Sequence, residues 1–151
     1  MTSMFEAMDK YVILCAGALH EYTDLVADGQ SVMRHSTIDG MQIDAVIGWS
    51  SDQDAGTIES EPEGLSGRWR ENYQIRSTLT ASWGGTEVTP LRHQISKMYV
   101  AIADAVKRNP TLNAEGVLRS YLRFSDFEQV QTKEGATASL RFTLFVDAFA
   151  S

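Results

Sequence analysis

Residues 89–108 read TPLRHQISKMYVAIADAVKR and predict a long amphipathic helix. Pro90 suits the first helical position, where its missing N–H costs nothing, and Thr89 before it can cap the helix. The apolar residues recur at steps of three and four along one face: Leu91, Ile95, Met98, Ile102 and Val106. At 1.5 Å per residue the helix is roughly 27 Å long, so we expect it to cross a small sheet.

Two long strand-like runs follow the helix, at residues 116–131 and 135–149. The tripeptide Lys133-Glu134-Gly135 lies between them and predicts a hairpin turn. The last run alternates between an apolar and a polar face, but Phe145 and Phe149 fall on the polar one. Two interpretations of these aromatics stay open: they contact another subunit, or they lie under the N-terminal helix.

The chain begins with a second predicted helix, over residues 3–21. Ser3 and Glu6 match the capping-box pattern S-x-x-E. The apolar residues that define its buried stripe are Phe5, Met8, Val12, Cys15 and Leu19, with Met4 and Tyr11 beside them. Because Cys15 lies on this stripe, we expect a small buried side chain rather than a reactive thiol.

The middle of the chain predicts strands. Residues 41–49 and 68–83 alternate with period two, and Trp49 and Trp83 fall on their apolar faces. Residues 22–40 could hold a further short strand, near 23–27 or 31–33. Residues 50–67, SSDQDAGTIESEPEGLSG, predict a flexible, solvated acidic loop. Asp52-x-Asp54 in this loop does not continue into a calcium-binding pattern.

Together these elements predict a single α+β domain spanning residues 1–151. We expect a mostly antiparallel sheet of about four to five strands, with the N-terminal helix and the central amphipathic helix packed on it. The expected order of elements is α-β-β-α-β-β.

The net charge of −7 is divided unevenly along the chain. Residues 1–64 hold 12 acidic and 2 basic side chains, a balance of −10, whereas residues 65–151 hold 8 acidic and 11 basic ones, a balance of +3. This asymmetry fits a head-to-tail assembly in which an acidic surface meets a basic one, or acidic loops that keep the protein soluble. A pI near 4.9 argues against a dedicated nucleic-acid binder, because phosphate affinity depends on clustered Lys and Arg.

No residue pattern indicates catalysis, a cofactor or a metal. The histidines His20, His35 and His93 lie far apart without metal-ligand spacing, and phosphate-binding and nucleophile-elbow motifs are absent. The single cysteine fits a reducing, intracellular compartment. No apolar run approaches the roughly 20 residues that span a bilayer. An enzymatic or small-ligand-binding α+β domain, the alternative from a different class, would need a deep pocket joining His93 or His35 to carboxylates.

The order of elements resembles that of the tail terminator proteins of long-tailed phages and prophages, also called tail completion or head–tail joining proteins. The resemblance covers most of the chain. It rests on the two helices, the turn Asn109-Pro110-Thr111-Leu112, a basic and aromatic strand over 118–127, and the apolar end at 145–150. Residues 113–116, Asn-Ala-Glu-Gly, depart from the family, whose turn is usually richer in glycine.

The resemblance implies a structural virion protein that assembles as a ring, commonly a homohexamer, in the tail or neck after synthesis in the host cytoplasm. Such a ring caps the tail tube protein and joins it to the head connector or stopper protein, while DNA passes through the lumen without specific binding. Another phage neck or minor tail protein is the nearest alternative. The candidate subunit or partner interface consists of Trp69, Arg119, Arg123, Arg141, Phe145, Phe149, Asp52, Asp54, Glu59, Glu61 and Glu63.

Overall fold

The computed structural model describes residues 2–20, 22, 35–38, 40–48, 56–63 and 68–150, and this part of the chain contains two helices and six strands. The helices are α1 (Met4–Leu19) and α2 (Thr89–Arg108). The strands are β1 (His35–Ile38), β2 (Met41–Ile47), β3 (Gly56–Glu63), β4 (Arg68–Trp83), β5 (Val117–Thr132) and β6 (Gly135–Phe149).

The long strand β4 organises the sheet. Along one side it pairs with β6, and along the other it pairs with β3 in its first half and with β2 in its second half. The strands β1 and β5 extend the sheet beyond β2 and β6, and every pair is antiparallel. The predicted α+β class is therefore confirmed, and the structure adds β1 and β3 to the expected order of elements.

Both helices pack on one face of the sheet. The apolar odd-numbered residues of β4 and the even-numbered residues of β6 form a single core with the buried faces of α1 and α2. The predicted apolar stripe of α2, from Leu91 to Val106, is buried throughout. Because successive strand residues point to opposite faces, the odd-numbered residues of β6 face away from the helices. We call the surface that they form the outer face.

The buried face of α1 overlaps the predicted stripe but is shifted toward Met4 and Tyr11, which the sequence places beside that stripe. Phe5 is 68% exposed, although we expected it in the core. Ala7, which is too small to stand out among the apolar residues of the sequence, is fully buried. Cys15 is buried as predicted, and its burial raises the pKa of its thiol, which keeps it protonated. The buried residues are Met4, Ala7, Tyr11, Cys15 and Leu19.

The first turn of α1 is held by a side chain from β4, and the predicted capping box is wrong. Ser3 makes no side-chain cap within the helix. Its hydroxyl donates to Oε2 of Glu71 at 2.9 Å, and its backbone N–H donates to the same oxygen at 3.0 Å. Glu71 is 3% exposed, whereas Glu6 lies in solvent. A buried carboxylate from a strand thus faces the positive end of the helix dipole.

The ends of α2 explain the turn at residues 109–112. The helix starts at Thr89, but Val88 rather than Thr89 is its N-cap. At the other end the backbone N–H and the Nδ2 atom of Asn109 both donate to the carbonyl of Ala105. Leu112 adopts a left-handed φ of 57° that turns its side chain into the core, where it is 2% exposed. This turn therefore has a structural role, which is to end the helix and seal the core.

The predicted acidic loop contains β3, and this corrects the expectation of a solvated loop over residues 50–67. Gly56, Pro62 and four glutamate or serine residues make this segment a poor strand by propensity. The first half of β4 overrides that preference because it offers a free edge for backbone hydrogen bonds. Pro62 fits there because proline is tolerated on edge strands. Asp52, Asp54, Trp49 and the predicted short strands near 23–27 and 31–33 lie outside the described residues.

Candidate subunit interface

The strand β5 is almost wholly solvent-exposed. Of its sixteen residues only Val117 is buried, and β6 is its only partner strand in the part of the chain that the structure describes. Large exposed apolar residues lie on it, including Phe124 at 66% exposure. They are Leu118, Tyr121, Phe124, Phe127 and Val130. An edge strand with this many exposed apolar side chains is typical of a surface that another protein covers.

On the helix side, β5 borders an apolar groove of about 160 Å³ beside α2. We call it the α2–β5 groove; it is lined by Tyr99, Ala103, Val106, Lys107, Ser120, Tyr121 and Leu122. The ring of Tyr99 also meets Phe124 and Phe142 edge-on, at centroid distances of 5.8 and 5.6 Å. These ring contacts hold the exposed Phe124 against the helix layer.

Phe145 and Phe149 lie on the outer face, so the interpretation that places them under the N-terminal helix is wrong. The ring of Phe145 stacks on Tyr121 of β5 with centroids 5.2 Å apart and planes 10° from parallel. Phe149 is half-buried and sits opposite Arg70 of β4. The predicted aromatic surface therefore exists, but part of Phe145 is already covered by its own chain.

The predicted arginines differ in how they are engaged. Arg119 pairs with Asp147 at 3.2 Å, and Arg141 pairs with Asp126 at 3.4 Å. Arg123 is exposed, and no described residue forms an ion pair with it. Among the three, Arg123 is therefore the arginine most available to a partner.

Asp147 was not among the predicted interface residues, because the alternation of β6 places it on the polar, solvent-facing side of the strand. The structure buries it to 8% exposure between two arginines. Arg70 donates to both of its carboxylate oxygens, at 3.2 and 2.8 Å, and Arg119 donates from the other side. The hydrogen bonds from Arg70, followed by the charges of both arginines, hold the pKa of Asp147 below its usual value.

The lowered pKa of Asp147 makes the stability of the protein depend on pH. Because the folded-state pKa of Asp147 is lowered, its stabilising contribution is present above the unfolded-state pKa of about 3.9 and is lost as the pH falls through the folded value. We expect Asp147→Asn to have a lower free energy of unfolding than wild type at pH 7. The difference between the two proteins should become smaller below about pH 4. Urea unfolding at both pH values measures this difference. Asp104→Asn, at an exposed site on α2, is the matched control and should show no such narrowing.

The opposite side of the sheet is acidic. Glu59 and Glu61 of β3 are exposed on the outer face, where Glu61 lies opposite Arg70. In the backbone register of β3 and β4, Glu63 is paired with Arg68. Ile58, on the helix-facing side of β3, is 41% exposed, and Trp69 is half-exposed at the start of β4. The structure thus places the basic and acidic candidates at opposite sides of the sheet.

The larger groove, of about 250 Å³, lies on the outer face and brings Glu59 and Arg119 to one surface. Most of its other lining residues are polar or aromatic, among them Asn72, Gln74 and Phe145, and neither His20 nor His93 lines it. Both of those histidines are exposed, His93 on α2 and His20 at the end of α1. In the described residues no group of three His, Cys, Asp or Glu side chains could hold a metal. No described helix is long and apolar enough to cross a membrane.

No family model matches the chain, and no curated protein matches it. Among solved structures, the chain is similar to a chain in the virion of a native gene transfer agent particle. The identity is 10% and the TM-score is 0.39, with 89% of this chain and 84% of that chain covered. A likeness of this size carries no statement about function.

Proposed function

We propose that the protein is a structural virion protein that assembles as a ring, caps the phage tail tube and joins it to the head. The proposed role is structural and involves no catalysis. It draws on the resemblance of the sequence to tail terminators. The observation that carries it is the asymmetry of the sheet. One side ends in β5, which exposes large apolar side chains together with Arg119 and Arg123, and the other side includes β3, which exposes Glu59 and Glu61.

Two unlike sides on one subunit favour a head-to-tail contact, in which one side of a copy meets the other side of the next. When the rotation between copies closes, such contacts generate a ring. A C2 dimer instead uses the same surface on both subunits, so the separation of the two surfaces argues for rotation around more than two copies. Opposite charge at the contact also steers association and fixes register.

The net charge supports the second part of the proposal. A protein with a net charge of −7 presents a field that repels DNA, so a ring of this protein would let DNA pass through its lumen without adhering. We propose the tail tube protein and a head connector or stopper protein as partners on the two rims of the ring, with six copies as the expected number.

The test begins with light scattering after size exclusion, and with negative-stain imaging, on the purified protein at high concentration. We expect a discrete oligomer seen as rings, and we expect added rings to stop tube growth when mixed with tail tube protein. Arg123→Glu should weaken the assembly, while Lys97→Glu, an exposed charge reversal on α2, should not. A strict monomer that leaves tube length unchanged would overturn the proposal. Uncontrolled tube length in a mutant lysate distinguishes a terminator from another neck or minor tail protein.

A further inference from the structure

The α2–β5 groove has the size and lining of a site for one aromatic ring. Its volume is about 160 Å³, and a cavity of about 150 Å³ with apolar walls is known to hold benzene. Lys107 lies in its lining, so one positively charged side chain borders the groove. An aromatic side chain flanked by carboxylates would fit both the cavity and its charge.

Phe5 of α1 has this chemistry. It is 68% exposed, and the exposed carboxylates Glu6 and Asp9 follow it on the helix. Phe5 lies three positions before Met8, so the two share a flank of the helix. The terminal methyl of Met8 lies beside Gly48 at the end of β2. Phe5 therefore faces the side of the molecule that carries β2 and β3, away from the groove of its own chain.

The groove and the acidic side lie at the same height on the sheet. Ile58 of β3 is in register with Tyr73, Tyr73 with Val146, and Val146 with Ser120, which lines the groove. In a closed ring, neighbours are related by rotation without translation along the axis. Two surfaces that meet in such a ring must therefore lie at the same position along its axis. For an axis parallel to the strands, this row of paired residues places β3 and the groove at the same position.

We propose that Phe5 of one copy inserts into the α2–β5 groove of the next copy, with Ile58 of the first copy beside it against β5. This inference rests on the ring assembly proposed above and names the contact that closes it. The carboxylates beside Phe5 of the inserting copy then approach Lys107 of the receiving copy, and Glu59, on the outer face, lies at the height of Arg119 of the receiving copy. The occupant of the groove is a second copy of this chain, and the contact joins the acidic half of the sequence to the basic half.

The first experiment compares two aspartate substitutions on α1 by light scattering. Phe5→Asp should reduce the ring to monomers, because a carboxylate cannot enter an apolar groove. Ile13→Asp is the matched control: Ile13 is 67% exposed on the same helix, but two turns away and outside the proposed contact. It should leave the ring intact. Circular dichroism and thermal melting of both variants check that each remains folded.

The second experiment tests the receiving side. Ala103→Trp should fill the groove from within its own chain and also yield folded monomers. The double variant Phe5→Cys with Ala103→Cys should form disulfide-linked oligomers under mild oxidation, and neither single variant should, since Cys15 is fully buried. Rings that survive Phe5→Asp, or that both aspartate variants abolish equally, or a double variant that does not crosslink, would overturn this contact and leave the ring proposal standing. A monomeric wild type would overturn the ring itself.

Discussion

The substitution Glu71→Ala is expected to lower the free energy of unfolding by about 2–4 kcal/mol. Glu71 is 3% exposed and accepts two hydrogen bonds from Ser3, which is itself buried. Hydrogen bonds to a charged group contribute about 1.5–3 kcal/mol, and a buried donor left without an acceptor costs about 1–3 kcal/mol. The alanine variant would leave both the backbone N–H and the hydroxyl of Ser3 short of that acceptor.

Two further variants separate the capping role of Glu71 from general damage. Glu71→Gln keeps an acceptor oxygen without the charge, so we expect about half the loss, because charge-assisted hydrogen bonds are roughly twice as strong as neutral ones. Glu6→Ala removes the residue that the sequence pattern assigns to the capping box. Because Glu6 is exposed, its removal should change stability by less than about 0.5 kcal/mol. Urea unfolding measures all three, and a larger loss for Glu6→Ala than for Glu71→Ala would contradict the structure.

The substitution Gly135→Ala is expected to destabilise the protein by at least about 2 kcal/mol. Gly135 opens β6 after the two-residue turn Lys133-Glu134, with a φ of 149°. A Cβ atom there would be strained by this backbone conformation and would collide with the backbone carbonyl of Trp83. The backbone of neighbouring β4 cannot move aside without breaking its pairing with β6. The hairpin that carries the exposed strand β5 therefore depends on this glycine.

Gly84→Ala is the matched control, one residue beyond Trp83. A Cβ atom at Gly84 meets nothing within 4 Å, and its φ lies outside the left-handed region. Substitution there should be neutral, or stabilising by up to about 1 kcal/mol, because alanine restricts the unfolded chain. Thermal melting compares the two variants. Equal melting temperatures for Gly135→Ala and wild type would show that the turn tolerates a side chain.

The sequence pattern predicted an element correctly wherever a single hydrophobic period continued along a long segment. The stripe of α2, the hairpin turn at 133–134 and the apolar face of β6 are all as predicted. These elements contain uninterrupted periods of 3.6 or two, which specify a face without reference to the rest of the chain. Trp69, Arg123, Glu59 and Glu61 are each exposed in the structure, and their contact with a partner stays a prediction.

Tertiary contacts decided the features that involve partners distant in sequence. β3 forms because β4 offers an edge for backbone pairing. Glu71 accepts hydrogen bonds at the start of a helix 68 positions away in the sequence. Asp147 is buried because β4 and β5 each bring an arginine to it. Phe5 is an example in which the local pattern was misleading. Its spacing predicts burial, but the helix buries the neighbouring face that includes Ala7, and Phe5 is exposed.

By itself, the sequence determined the fold class, the long helix and the separation of charge into an acidic and a basic half. Only the tertiary structure decided where those halves lie, with the glutamates of β3 at one side of the sheet and the arginines Arg119 and Arg123 of β5 at the other. The physical reason is that hydrophobic periodicity is a local property, readable residue by residue. Strand order and cross-strand partners are instead set by which backbone edges remain available once the core has formed.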